Sequence, residues 1–121
     1  MTAMTPQEAL KEFLEDDEFR AVAQPIAEAL EHPTADIDHL ASRVDLATDY
    51  HKFYQAYFQA VRYTGSSIPH ATRLVELLNA LCRKGDLPLI GMYIEEYGLG
   101  MSYVFLFLVF TTIFFTSSNC N

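Results

Sequence analysis

The stretch DYHKFYQAYFQAVRYTG, residues 49–65, decides the fold that the sequence predicts. Gly65 at its end is a stop signal, because glycine readily adopts the left-handed conformation that ends helices. The large apolar side chains of the stretch recur at i, i+1, i+4, i+5 and i+8, which is the period of one helix face: Phe53, Tyr54, Tyr57, Phe58 and Val61. The stretch therefore predicts an amphipathic helix with an aromatic face.

This aromatic face has two interpretations. A stripe of large apolar side chains at helical spacing usually packs into a core. The tyrosines allow a second interpretation, because a buried phenol needs a hydrogen-bond partner or a wet edge. We favour the core and keep four residues as candidates for a protein-partner surface: Phe53, Tyr54, Tyr57 and Phe58.

The next segment, SSIPHATRLVELLNALCRKG at residues 66–85, repeats the helical design. A serine can cap it, Pro69 lies near its start, and Gly85 lies past its end. Basic residues in its last turn suit the negative end of the helix dipole. One face carries four leucines: Leu74, Leu77, Leu78 and Leu81.

The beginning of the chain predicts another helix. Thr5, Pro6 and Glu8 form a capping box with proline in the first helical position. The apolar residues that follow share one face: Leu10, Phe13 and Leu14.

Two more helices are predicted between residues 16 and 49. Asp16 or Asp17 can cap the first, EFRAVAQPIAEALEH, in which Pro25 should cause a kink or a new start. Pro33 then breaks the chain, and Thr34 can cap the second. The apolar positions of the second are Ile37, Leu40, Val44 and Leu46.

No segment alternates with period two between hairpin turns, and this excludes a sheet from the prediction. The predicted fold class is therefore all-α. It is a small bundle of amphipathic helices followed by one C-terminal hydrophobic helix that resembles a transmembrane helix.

Composition sets limits on function. The chain has 121 residues, the size of one domain with a modest core. Its formal net charge of −8 argues against a nucleic-acid partner, because phosphates require a basic face. No charged side chain follows Glu96. We therefore expect an acidic helical body over residues 5–96 and a hydrophobic tail over residues 97–121.

The tail predicts a membrane anchor. Residues 99–116, LGMSYVFLFLVFTTIFFT, are eighteen residues without a charge or a proline. As a helix they would span about 27 Å, close to the hydrocarbon thickness of a thin bilayer. The expected partner is a lipid bilayer, with the body in the cytosol, and the predicted spanning residues are Tyr103, Phe105, Phe107, Phe110 and Phe114.

The same tail allows a second interpretation, in which it is translated intron sequence. Residues 104–116 contain only Phe, Leu, Val, Ile and Thr, whose codons all carry a pyrimidine at the second position. Genuine membrane spans share this codon bias, so the pattern does not separate the two. In the second interpretation the body is a cytoplasmic protein.

Two cysteines, Cys82 and Cys120, do not make a disulfide framework, and MTAMTPQEALKEF lacks the pattern of a secretory signal. We therefore expect the body in a reducing compartment. Cys82 has two interpretations. It shares the face of Leu78, which predicts a buried structural thiol, and the alternative is a nucleophile paired with a distant histidine.

Other catalytic and metal-binding patterns are missing. The four histidines have no HExxH or paired-cysteine spacing. The segment DIDHLASRVDLA lacks the glycine and the final glutamate of a calcium loop. The sequence therefore predicts no cofactor, no metal and no catalytic residue.

The aromatic helix of residues 49–63, followed by IPH, RLVELLNAL and DLPL, resembles a family of fungal helical proteins of unknown function. The resemblance covers residues 49–90. It implies an all-helical core and carries over no activity or site residue. Members of that family often have tryptophan where this chain has Phe53 and Tyr54, and they continue with mixed polar and apolar helix where this chain becomes uncharged.

These patterns favour a non-enzymatic interaction or adaptor module, attached to a membrane by its tail. The alternative is a soluble accessory protein or enzyme fragment whose C-terminus is truncated or replaced. A pocket lined by Tyr57, His70 and Cys82 would favour this alternative, and a closed core there would favour the module.

Overall fold

A computed structural model of the chain describes residues 4–65 and 67–84, without the side chain of Cys82. The described residues are all-helical, as predicted. The helices are α1 (Pro6–Ala9), α2 (Lys11–Glu15), α3 (Arg20–Glu31), α4 (Ile37–Ser42), α5 (Leu46–Arg62) and α6 (Ile68–Arg83). The predicted hydrophobic tail helix lies outside the described residues.

The predicted capping box begins α1. The Thr5 hydroxyl accepts a hydrogen bond from the backbone N–H of Glu8 at 3.1 Å, and the Glu8 carboxylate accepts one from the backbone N–H of Thr5 at 3.2 Å. Pro6 occupies the first helical position. These bonds satisfy N–H groups that a helix start leaves free. The capping box is confirmed.

Helix α3 differs from the prediction at its start and at Pro25. Phe19 is its N-cap, without a side-chain cap, while the Asp16 carboxylate accepts a bond from the Glu18 N–H in the preceding turn. The predicted cap at Asp16 or Asp17 is therefore wrong. The helix also continues through Pro25 from Arg20 to Glu31. Proline removes one backbone bond, and burial of Ile26 and its neighbours offsets that loss.

The single helix predicted after Pro33 is two helices. The Asp36 carboxylate caps α4 by accepting from the Asp38 N–H, so the predicted cap at Thr34 is wrong. The Asp45 carboxylate accepts from the Ala47 N–H and starts α5. Two Asx caps nine residues apart therefore divide the segment. Leu40, Val44 and Leu46, at the predicted apolar positions, are buried.

The aromatic helix and the leucine helix form as predicted. Regular α5 geometry follows a kink at Asp49, and the helix ends at Arg62, before Gly65 with its φ of +58°. A positive φ is easy for glycine and confirms the predicted stop. The backbone N–H of His70 donates to the Ser67 hydroxyl at 3.5 Å at the start of α6.

One hydrophobic core joins the helices. Helix α3 packs against α5 and α6, and also contacts α1, α2 and α4. Helix α4 lies against both α3 and α6. The four leucines predicted to share a face of α6 are all buried: Leu74, Leu77, Leu78 and Leu81. Among the described residues, large hydrophobic side chains are exposed at Met4, Tyr63 and Ile68.

Candidate functional site

The predicted partner surface on α5 lies inside the core. The side chains of Phe53, Tyr54 and Tyr57 are 0% exposed, and Phe58 is 8% exposed. Phe53 stacks on Tyr57 with ring centroids 5.5 Å apart, and Tyr54 stacks on Phe58 at 5.8 Å. These exposures agree with the core interpretation. Such buried side chains do not fit a partner surface, since an aromatic stripe at this spacing usually packs inward.

Tyr57 is the polar centre of this aromatic cluster. Its hydroxyl donates a hydrogen bond to the Leu74 carbonyl oxygen at 2.7 Å and so joins α5 to α6. Burial, and secondarily the neighbouring Tyr54, raises the pKa of Tyr57 well above its ordinary value of 10.0. The phenol therefore stays protonated and donates to the fold. This is how the sequence meets the need of a buried tyrosine for a partner.

The raised pKa of Tyr57 predicts that the folded protein loses stability at alkaline pH. The folded state favours the neutral phenol, so the contribution of Tyr57 to stability is complete below the ordinary pKa of 10.0. It falls as the pH rises above that value towards the folded pKa, because the unfolded phenol ionises first. Replacing Tyr57 by phenylalanine should cost about 1 kcal/mol at neutral pH through the lost hydrogen bond, and should reduce the loss of stability above about pH 10.

The measurement is the free energy of unfolding as a function of pH. Tyr63→Phe is the matched control, because Tyr63 is 36% exposed. If the free energy of unfolding falls equally steeply with pH in wild type, Tyr57→Phe and Tyr63→Phe, the alkaline loss of stability does not come from Tyr57.

The histidines do not converge. His32, His39 and His51 are exposed, and His70 is half-buried at the start of α6. Across residues 4–65 and 67–84, no group of three or more His, Cys, Asp or Glu side chains is placed to hold a metal ion.

His70 pairs with α1. Its Nε2 lies 3.2 Å from Nε2 of Gln7, within hydrogen-bond distance. Within the described part of the chain, His70 Nδ1 and Gln7 Oε1 are buried and have no hydrogen-bond partner. The pair fixes the start of α1 beside the start of α6, and two unsatisfied atoms reduce the net gain.

The Arg73 side chain binds four groups of the described structure, and the sequence prediction missed it. The residue is 8% exposed. Its Nε donates to the Ala29 carbonyl at 2.8 Å, and its Nη2 donates to the carbonyls of His32 at 3.1 Å and Ala35 at 3.2 Å. Its Nη1 is paired with the Glu76 carboxylate at 2.7 Å.

These bonds place a guanidinium on the C-terminal end of α3. A helix end leaves carbonyl groups without partners and carries partial negative charge, so a cation there is stabilised. A signal existed in the sequence. Arg73 precedes Leu77 by four residues and Ala80 by seven, and both are buried, so Arg73 lies on an inward face.

Other predicted residues lie outside the described part of the chain. These are the side chain of Cys82, and the predicted spanning residues Tyr103, Phe105, Phe107, Phe110 and Phe114. The pocket suggested for Tyr57, His70 and Cys82 includes the Cys82 side chain, so it also lies partly outside the described residues. Over residues 4–65 and 67–84, none of the helices has the length and apolar character needed to cross a bilayer.

Comparison with known proteins gives no relative. No known protein family matches the chain, and neither a curated protein nor a solved structure matches it. The resemblance of residues 49–90 to fungal helical proteins therefore stays a prediction.

Proposed function

We propose that the chain is a non-enzymatic helical interaction module attached to a membrane through residues 99–116, with its acidic body in the cytosol. The partner of the tail is the lipid bilayer, and the partner of the body is another protein. One observation carries the proposal: eighteen consecutive residues without a charge or a proline follow a charged helical body. Such a run suits a bilayer, because a helix makes the hydrogen bonds of its own backbone N–H and C=O groups internally.

The contacts of Tyr57 and Arg73 support a structural role for both side chains. Tyr57 donates to Leu74 inside the core, and Arg73 binds the end of α3. Each group is held by the fold through several contacts. A module whose polar side chains stabilise its own helices would act through its surface.

A second candidate is a soluble accessory protein or enzyme fragment whose tail is translated intron sequence. The pyrimidine-centred codons of residues 104–116 favour it. Sequencing the mature transcript across the Gly100 codon separates the two candidates, because an intron would be absent from that transcript.

Membrane attachment is tested by alkaline carbonate extraction of the full-length tagged chain, followed by flotation on a density gradient. We expect the wild-type chain to stay with membranes and to float. The double variant Phe107→Lys and Phe110→Lys should leave the membrane fraction, because lysine near the centre of a span costs about 2.5–3.5 kcal/mol per residue.

The matched control is the double variant Gln24→Lys and Gln55→Lys, which adds the same charge at exposed positions of the body. It should float like wild type. Recovery of the wild-type chain in the carbonate supernatant would contradict the anchor. A pelleted chain that sinks in the gradient would be an aggregate and would also contradict it.

A further inference from the structure

Residues 32–45 bury a smaller share of their residues than the neighbouring helix α3 does. This segment contains the connection from α3, helix α4 and the connection to α5. Leu40, Ala41 and Val44 are its buried residues, and most of the others are exposed. Helix α4 has six residues, too few for a helix to be stable by itself. Burial therefore supplies only part of the attachment.

Two cations, Arg73 within α6 and Lys84 directly after it, contribute further attachment by binding backbone carbonyls. Arg73 donates to the carbonyls of His32 and Ala35 in the connection before α4. Lys84 donates through Nζ to the carbonyl of Ala41 at 3.2 Å and to that of Val44. Both side chains thereby add hydrogen bonds to carbonyls at the ends of α3 and α4, where a cation is also favoured by the helix dipole.

Two ion pairs complete the attachment. Arg83 of α6 binds Asp38 of α4 at 2.6 Å, with the two side chains 46% and 65% exposed. Arg43 binds Glu28 of α3 at 2.6 Å. Exposed pairs of this kind are individually weak and are screened by salt.

The distribution of positive charge is therefore uneven. The chain has eight Lys and Arg residues in all. Four of them hold this segment: Arg43, Arg73, Arg83 and Lys84. A segment with three buried residues and several partly exposed polar bonds opens at a lower free energy than a core helix with more buried residues.

We propose that residues 32–45 form a strap that opens as one unit, with Arg83 and Lys84 at the end of α6 as its latch. Because α4 contacts both α3 and α6, opening removes Leu40, Ala41 and Val44 from these helices. An apolar surface on the flanks of α3 and α6 becomes accessible. This conformational device does not depend on membrane attachment.

Native-state hydrogen exchange of the full chain in mild detergent tests the strap. The variants Arg83→Gln and Asp38→Asn break the same latch pair from opposite sides. Each should raise the exchange rate of amides in residues 36–46 about two- to fivefold, as expected for loss of an exposed ion pair. The double variant should exchange no faster than either single variant, because the pair is already broken.

Arg62→Gln is the control, because Arg62 is exposed and bonds to Gln59 on its own helix. It should leave the strap unchanged. Raising the salt concentration to about 1 M should reproduce the effect of the latch variants in wild type. Residues 50–62 of α5 should not respond to any of these changes.

Two results would overturn the strap. One is exchange of residues 36–46 that is unchanged in both latch variants. The other is an increase of equal size in α5, since the segment would then open only with the whole fold.

Discussion

Replacing Phe53 by alanine should lower the free energy of unfolding by about 4 kcal/mol, the cost typical of deleting a buried aromatic ring. Phe53 is 0% exposed and packs on both Tyr54 and Tyr57. The deletion loses the transfer free energy of the ring and leaves a cavity among rings that cannot all move together. The measurement is denaturant unfolding of the full chain in mild detergent, followed by far-ultraviolet circular dichroism.

Two further variants make this result specific. Phe53→Leu keeps most of the volume and should cost less than about 1.5 kcal/mol. Tyr63→Ala removes an aromatic side chain that is 36% exposed and should have a small effect. If Phe53→Ala were as stable as wild type, the ring would not belong to the core, and a partner surface on α5 would regain support.

Replacing Arg73 by methionine should cost about 3 kcal/mol, although methionine fills a similar volume. The guanidinium satisfies the carbonyls of Ala29, His32 and Ala35. Methionine leaves the buried Ala29 carbonyl without the Arg73 donor, and a buried unsatisfied group costs about 1–3 kcal/mol, whereas the His32 carbonyl keeps its bond from the Ala35 N–H. Lost bonds to a charged donor add to this, while removal of the buried charge offsets part of it.

Arg73→Lys and Arg62→Met are the controls. Lysine keeps the charge but cannot reach several carbonyls with one rigid fork, so it should restore only part of the stability. Arg62→Met changes an exposed arginine on α5 and should stay within about 0.5 kcal/mol of wild type. Full stability of Arg73→Lys would show that charge alone holds the end of α3.

Local patterns predicted the helices because local energetics form them. The capping box of Thr5 and Glu8 needs four consecutive residues, and the stop at Gly65 needs one backbone conformation. The inward faces of α5 and α6 follow from spacing alone, since side chains four residues apart lie on the same side of a helix. No packing partner had to be known.

Several residues near a helix start can each act as its N-cap, and this explains why some predicted N-caps were wrong. Thr34 and Asp36 can both cap the helix after Pro33, and the structure uses Asp36. Which cap wins depends on where the connection must place Leu40 and Ala41 against α3 and α6. That choice is made by packing, over a distance that a sequence window does not include.

Arg73 was missed for a related reason. In sequence it reads as one charged residue among leucines, and its inward position follows from the same spacing that predicted the leucine face. Its function in the fold depends on residues 38 to 44 positions earlier in the chain. No local pattern records that the end of α3 lies beside the middle of α6.

The sequence by itself determined the all-helical class, the inward faces of α5 and α6, and the uncharged run of residues 99–116. Helical period, capping and hydropathy are properties of neighbouring residues, so these features need no tertiary information. Only the tertiary structure decided that Tyr57 donates to Leu74 and that four cations hold residues 32–45. Such bonds form where packing brings distant groups together, because a helix end or a buried hydroxyl takes whichever partner the fold places within hydrogen-bond distance.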